Sequence, residues 1–238
     1  MIKIENTKVD GFEAAIRGMR NPLNSHEKSD SGKCFKDIAC HTCKINRNYC
    51  KQMQDNNEFV VGYNDYELMK KLVNAGTDHS KFMRMINVTI DITAPMYWWK
   101  EADTYKVGTV ANSESTMHTI HKKEFNIDDF SNEHLDEDNY NLLKTIVARL
   151  NHYRDIYVNG GIIEYPDCGR KVFQPKDKDI WWQLIQLLPS SYNQKRTWQA
   201  NYQVLRNIYH SRKNHKLDEW REFCKWIETL PYSELITE

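Results

Sequence analysis

Six cysteines are unevenly spread along the chain: Cys34, Cys40, Cys43 and Cys50 crowd into one short stretch, whereas Cys168 and Cys224 stand apart. The quartet reads Cys34-x5-Cys40-His41-Thr42-Cys43-x6-Cys50. Four soft ligands, two of them in a Cys-x2-Cys knuckle, suit a tetrahedral zinc with sulfur at about 2.3 Å. The outer spacings are irregular, and His41 could replace one sulfur. A loop of free thiols is the alternative, and spacing does not choose between them. A zinc held by four protein ligands keeps no open position for chemistry, so its work would be structural.

A second cluster spans residues 97–118. Tyr97, Trp98 and Trp99 offer flat surfaces, and Lys100, Lys106, Asn112, Ser113, Ser115 and His118 offer polar heads close by. Aromatics beside convergent polar groups suit a heteroaromatic ligand such as a flavin or a base. The plainer reading, which periodicity alone favours, is a helix whose aromatics pack in the core. Ser115 and His118 have no acid partner in sequence, which argues against a hydrolase triad. Near the C-terminus, Asn201, Asn207 and Arg212 lie on one helical stretch but not on one narrow face. By periodicity they are ordinary polar surface.

These residues need elements to hold them. Residues 12–20 read as a short helix ended by Asn21-Pro22. Residues 24–58 are polar and carry the cysteines without helical or strand period. A helix is predicted from about Asp65, as N-cap, to Ala75. Met85–Ile92 alternates β-branched and polar residues and predicts a strand. Thr93-Ala94-Pro95 opens a helix, and residues 106–118 read as a loop. Ser131 is the expected cap of the longest helix, about 132–157, stopped by Gly160-Gly161. Residues 161–176 predict a turn or small hairpin. A helix follows over 177–188, then a strand through 197–200, a helix from Asn201 or Tyr202 to Arg212, and a last helix over 217–228. No tandem repeat or low-complexity linker is visible, so one α+β domain is expected over 1–238, with 24–58 an inserted Cys-rich segment.

Of the 238 residues, 33 are basic and 33 acidic, so the formal charge is zero. A neutral balance gives no field to hold a phosphodiester backbone, and no nucleic-acid partner is expected; the basic stretch Lys213–Lys216 is too short to change that. Mean hydropathy is −0.76, and no apolar run approaches the ~20 residues of a membrane span. The start, Met1-Ile-Lys-Ile-Glu-Asn, lacks the pattern of a signal peptide, so a soluble, cytoplasmic protein is expected. In that compartment a clustered quartet reads as reduced or metal-binding rather than disulfide-bonded.

The order of elements resembles the flavin-dependent thymidylate synthases, the family that methylates dUMP with FAD. Ala15-Ile16-Arg17-Gly18-Met19-Arg20 is similar to that family's Ala-x-Arg-x-x-Arg helix, and Leu68 through Gly76 to Phe82 to its Leu-x-x-x-Leu…Gly…Phe segment. Its signature, Arg-His-Arg followed by Ser-x-Arg, corresponds to Thr104-Tyr105-Lys106 and Ser115-Thr116-Met117, with Asn112-Ser113-Glu114-Ser115 resembling the core between. Leu188-Pro189, Trp198, Asn201, Asn207 and Arg212 match its C-terminal segment without gaps.

The resemblance implies a central antiparallel sheet flanked by helices, assembled as a homotetramer with flavin sites between subunits. It implies that Lys106, Tyr105, Asn112, Ser113, Asn201 and Asn207 hold FAD. Ser115 would meet a pyrimidine nucleotide, and Arg212 would sit against the uracil carbonyl and favour ionisation of N3. A folate-type or other one-carbon donor is the implied co-substrate. Thr104, Met117, Gln203 and Ile185 stand where the family has arginines; neither Thr nor Met reproduces the bidentate fork. Lys100, Lys106, Lys195 and Arg196 are the cations available to compensate. Two functions follow: a flavoenzyme acting on dUMP or a related nucleotide, or a non-catalytic nucleotide-binding or regulatory homologue that keeps the fold and the oligomer. The inserted 24–58 segment is absent from ordinary family members.

Overall fold

A computed structural model describes residues 2–33, 59–167 and 169–238. In chain order its elements are β1 (Lys3–Asp10), α1 (Phe12–Arg20), β2 (Gly32–Lys33), β3 (Phe59–Val60), α2 (Tyr63–Asn74), β4 (Asn87–Pro95), α3 (Met96–Ala102), β5 (Val110–Ser113), α4 (Thr116–Thr119), α5 (Glu137–Asn159), β6 (Gly161–Tyr165), β7 (Gly169–Phe173), α6 (Lys178–Leu187), β8 (Asn193–Asn201), α7 (Tyr202–Arg212), α8 (Asp218–Glu228) and α9 (Glu234–Thr237), with short 3₁₀ turns between. The main sheet has the order β1-β4-β8-β5. The fold is α+β, a central antiparallel sheet flanked by helices. Its strands obey the pleat: in β4, Val88, Ile90, Ile92 and Ala94 are buried while Asn87, Thr89, Asp91 and Thr93 are half-buried.

The chain divides into two compact units. One comprises residues 1–3, 93–102 and 112–196. Its core gathers Phe125, Phe130, Leu143, Val147, Leu150 and Leu184, and β6 and β7 pair antiparallel with Ile163 opposite Lys171. The other comprises residues 4–92, 103–111 and 197–238. There Phe12 meets Tyr202 and Tyr232 edge-on at 5.7 and 5.2 Å. Both phenols are buried and bonded, Tyr202 to the Pro231 carbonyl at 2.5 Å and Tyr232 to the Val61 amide at 3.1 Å.

Several boundaries differ from expectation. The longest helix begins at Glu137, capped by Asp136, whose carboxylate accepts from the Asn139 amide at 2.8 Å. Ser131 is not its cap. Phe130 is bridged to Tyr192, and the Ser131 amide donates to the Ser191 carbonyl at 2.8 Å, so this stretch is held extended. The expected loop 106–118 contains a strand, β5, and a one-turn helix, α4. Pro95 ends β4 rather than lying inside the helix.

Asp65 is not an N-cap either. The cap residue of α2 is Gly62, and the free amides of Asn64 and Asp65 donate to the carboxylate of Asp30, at 2.9 and 3.1 Å. A Cβ on Gly62 would collide with that carboxylate, which is why the position is glycine. Asp65 points inward, fully buried, and accepts from Arg20 Nε at 2.6 Å and from the Ser29 and Ser31 hydroxyls at 2.6 and 2.5 Å. The Arg20 guanidinium also donates to the Ser25 and Lys28 carbonyls, each at 3.1 Å.

This clasp joins the two ends of the Cys-bearing segment. Antiparallel pairing of Gly32 with Val60 and Lys33 with Phe59 brings those ends side by side. Replacing residues 34–58 by Asn-Gly, the residues favoured in a two-residue hairpin turn, is therefore expected to leave a cooperatively folded protein. Its melt, followed by circular dichroism, should remain a single sharp transition; a molten or aggregated product would show that the clasp is not self-sufficient.

Candidate functional site

Helix α7 is fixed at its start by Asn201, whose side-chain oxygen accepts from the Val204 amide at 3.0 Å. Tyr202, Leu205 and Ile208 form its buried face. The last residue, Arg212, puts a cation at the helix C-terminus, where the backbone dipole favours positive charge.

The segment 103–109 lies against this helix. Gly108 has φ +78, and a Cβ there would come 2.8 Å from the Asn201 Nδ2 and 3.1 Å from Val204 Cγ2. Only glycine accepts both the conformation and the approach. Three residues earlier, the Tyr105 hydroxyl accepts from Arg212 Nε at 2.9 Å, and the Tyr105 carbonyl accepts from the Thr109 hydroxyl. The Arg212 guanidinium carbon lies 5.0 Å from the Trp220 ring centroid and 5.7 Å from that of Tyr105. The two rings meet edge-on at 6.0 Å. The contacts that brace the guanidinium at the end of α7 thus include a directional hydrogen bond to Tyr105 and the aromatic rings of Tyr105 and Trp220.

Of the residues expected to hold a flavin, Tyr105 and Asn201 are half-buried and Lys106 and Asn207 exposed in this same unit. Asn207 Oδ1 accepts from Gln203 Nε2 at 3.4 Å. Gln203, at a position where the resemblance puts an arginine, is buried, and its Oε1 accepts from the Ser80 hydroxyl at 3.2 Å. It serves packing.

Asn112, Ser113 and Ser115 belong to the other unit and are exposed. Ser115 caps α4, its hydroxyl accepting from the His118 amide at 3.3 Å. The neighbouring backbone is pinned by buried Gln194 on β8, which donates to the Glu114 carbonyl at 2.9 Å and to the Thr116 hydroxyl at 3.0 Å. Gln194 in turn accepts from Arg196 Nε at 3.0 Å. Arg196 stacks on Trp99 at 4.2 Å, and the Trp99 indole donates to the Gln194 carbonyl at 2.9 Å. The aromatics of α3 accordingly behave as core: Trp98 and Trp99 are buried and meet edge-on at 4.8 Å. Trp181 Nε1 donates to the backbone carbonyl of Met117, itself exposed where the resemblance puts an arginine.

Trp220 and Gln194 are supports that motif reading passes over, and Arg196, named from sequence only as a cation that could compensate for missing arginines, is held on Trp99 and Gln194. Trp220 carries only the helical apolar stripe of α8 as a signal. Gln194 lies on a strand whose apolar alternation is visible only from Thr197 onward. The four clustered cysteines, Cys34, Cys40, Cys43 and Cys50, lie outside the described residues, as does Cys168. Among the described residues, no group of three or more His, Cys, Asp or Glu is placed to hold a metal. No helix among them is long and apolar enough to cross a membrane.

No protein-family model matches the chain, and no curated protein matches it. Solved structures do. The chain is similar to the flavin-dependent thymidylate synthase ThyX from Helicobacter pylori, complexed with FAD and dUMP, at a TM-score of 0.62 and 16% identity, covering 98% of this chain and 97% of that one. A second structure of the same synthase with both ligands gives 0.61 and 15%, over 100% and 97% of the two chains. The UMP/dUMP methylase PolB from Streptomyces cacaoi, bound with 5-Br dUMP, gives 0.53 and 12%, over 100% and 95%. The likeness assigns the fold along essentially the whole chain.

Proposed function

We propose that the protein binds FAD and a pyrimidine nucleotide, dUMP or a relative of it, and methylates that nucleotide at the base. The observation that carries this reading is the likeness, along nearly the full length of both chains, to a fold crystallised with FAD and dUMP and found in a UMP/dUMP methylase. The chemistry of the residues that the resemblance assigns to the cofactor is compatible with it, taken one by one: Lys106, Asn207, Asn112 and Ser113 each carry an exposed ammonium, amide or hydroxyl donor. Such groups match the phosphates and ring carbonyls of a flavin dinucleotide.

When bound, the flavin supplies hydride and redox chemistry that no side chain can. The chain's own residues bind and polarise. Arg212 sets a fixed cation against the pyrimidine carbonyl, where charge develops as N3 ionises. Ser115, at the start of α4, orients the nucleotide. Asn201 already accepts at the helix cap through its side-chain oxygen and would meet the cofactor with the hydrogen-bonding capacity left on its amide. The same reading extends to a folate-type or other one-carbon donor, a homotetramer and a structural zinc on Cys34, Cys40, Cys43 and Cys50.

Exposed Thr104 and Met117 favour a second reading, a homologue that binds nucleotide without methylating it, because neither side chain supplies the charged bidentate fork that an arginine there would. One preparation separates the two. Incubated with FAD and desalted, the protein is expected to keep a flavin absorption spectrum, to bind dUMP or UMP by calorimetry, and to turn over when reductant and a one-carbon donor are supplied. A protein that stays colourless defeats the flavoenzyme reading. Bound nucleotide without turnover, with or without flavin, selects the second.

A further inference from the structure

We infer that Tyr105 and Trp220 are positioning residues that fix the direction of the Arg212 guanidinium before any ligand arrives. What Arg212 is aimed at rests on the proposed function; that it is aimed rests on contacts within one unit of the chain.

An arginine at the last turn of a half-exposed helix ordinarily samples many rotamers, and holding it in one costs side-chain entropy. Here two constraints act at right angles in kind. The bond from Arg212 Nε to the Tyr105 hydroxyl, 2.9 Å long, fixes rotation about the guanidinium stem. The Trp220 face, 5.0 Å from the guanidinium carbon, fixes the position of the charge. Both supports are themselves held by contacts. Trp220 is 1% exposed and packs edge-on to Phe223 at 5.9 Å. Tyr105 is braced edge-on by Trp220 and by the Thr109 hydroxyl on its carbonyl, and Gly108 brings its segment onto α7. A phenol is well chosen for this work. Its oxygen orients the guanidinium without bringing a formal negative charge to the bond. A cation pre-aimed in this way does not have to reorganise when charge develops on a bound ring.

Tyr105→Phe tests the inference with the smallest change, because the ring and its contact with Trp220 remain. In ligand-free protein labelled with ¹⁵N, the Arg212 Nε–H signal is assigned by its disappearance in Arg212→Lys. Its exchange with water is expected to accelerate about tenfold in Tyr105→Phe, the loss of one hydrogen bond to a charged group. Trp220→Phe should accelerate it by less, since a smaller aromatic face remains. In protein saturated with FAD, Tyr105→Phe should raise the Kd for dUMP about tenfold with the melting temperature retained. Adding Tyr105→Phe to Arg212→Ala should weaken binding no further. An Nε–H exchange rate unchanged by Tyr105→Phe overturns the positioning role of Tyr105, and one unchanged by Trp220→Phe overturns that of Trp220. Additive losses in the double variant overturn the coupling. Wild-type protein that binds no nucleotide while the exchange rates respond overturns the proposed function and leaves the positioning standing.

Discussion

Replacing Asp65 by alanine is expected to destabilise the protein by about 3–5 kcal/mol, the usual consequence of removing one partner of a buried ion pair. For a chain of this size that reads as a fall in Tm of roughly 6–20 °C. The damage comes from what is left behind. Arg20, 4% exposed, would lose its counter-charge, and the Ser29 and Ser31 hydroxyls and the Asp30 and Ser31 amides would lose their common acceptor. Asp65→Asn keeps an acceptor of similar shape and should cost less. The difference between wild type and Asp65→Asn should also depend on pH. Burial alone pushes the Asp65 carboxyl up, but bonds from Ser29, Ser31 and Arg20, with the Arg20 charge, outweigh it and hold the group below its ordinary value. A carboxyl whose folded pKa lies below its unfolded one stabilises the protein above about pH 4, and that contribution disappears as pH falls through the folded value. Thermal melts at pH 7 should therefore separate the two proteins fully, and melts below about pH 4 progressively less. An unchanged Tm in Asp65→Ala would mean the clasp is not formed in solution.

Elements with one clearly apolar face are legible in the sequence. β4 shows in its β-branched alternation, α7 in Asn201 through Arg212, and α6 in the stretch from Asp177 to the approach of Pro189. Two that escaped, β1 and β5, have no fully buried residue. β1 is studded with charge, and Asn6 within it has φ 54, its amide tied to Asp91 at 2.8 Å. β5 is exposed at every residue, so Val110-Ala111-Asn112-Ser113 shows no apolar period at all. Local capping rules failed where a distant group did the capping: Asp65 looks like an N-cap because nothing nearby reveals that Asp30 serves instead.

The site divides along the same line. Residues that a motif can name, Arg212, Asn201 and Ser115, stand at helix ends, where capping signals and turns mark them. What makes Arg212 a defined group rather than a surface cation is contact with Tyr105, 107 residues earlier in the chain. No periodicity encodes a separation of that kind. The substitutions that break the resemblance also change meaning in three dimensions: Gln203 is buried and bonded to Ser80, so its loss of charge suits the core.

Arg212→Ala carries the largest expected effect on chemistry. If the guanidinium stabilises charge on the pyrimidine, its removal should lower kcat by about 10²–10³-fold, the range seen when one preorganised donor to a developing anion is lost. The flavin spectrum should survive, because Lys106, Asn207, Asn112 and Ser113 hold the cofactor under this assignment. Stability should change little, since Arg212 is half-exposed at a helix end. Arg212→Lys decides between charge and direction. An ammonium keeps the charge but has no Nε–H at the place where Tyr105 accepts one, and it stacks less well on Trp220. If charge alone mattered, the lysine variant would recover most of the lost rate. A variant that stays near the alanine level, with flavin bound and Tm retained, places the effect in orientation. Loss of flavin together with activity in Arg212→Ala would instead move Arg212 from the nucleotide to the cofactor.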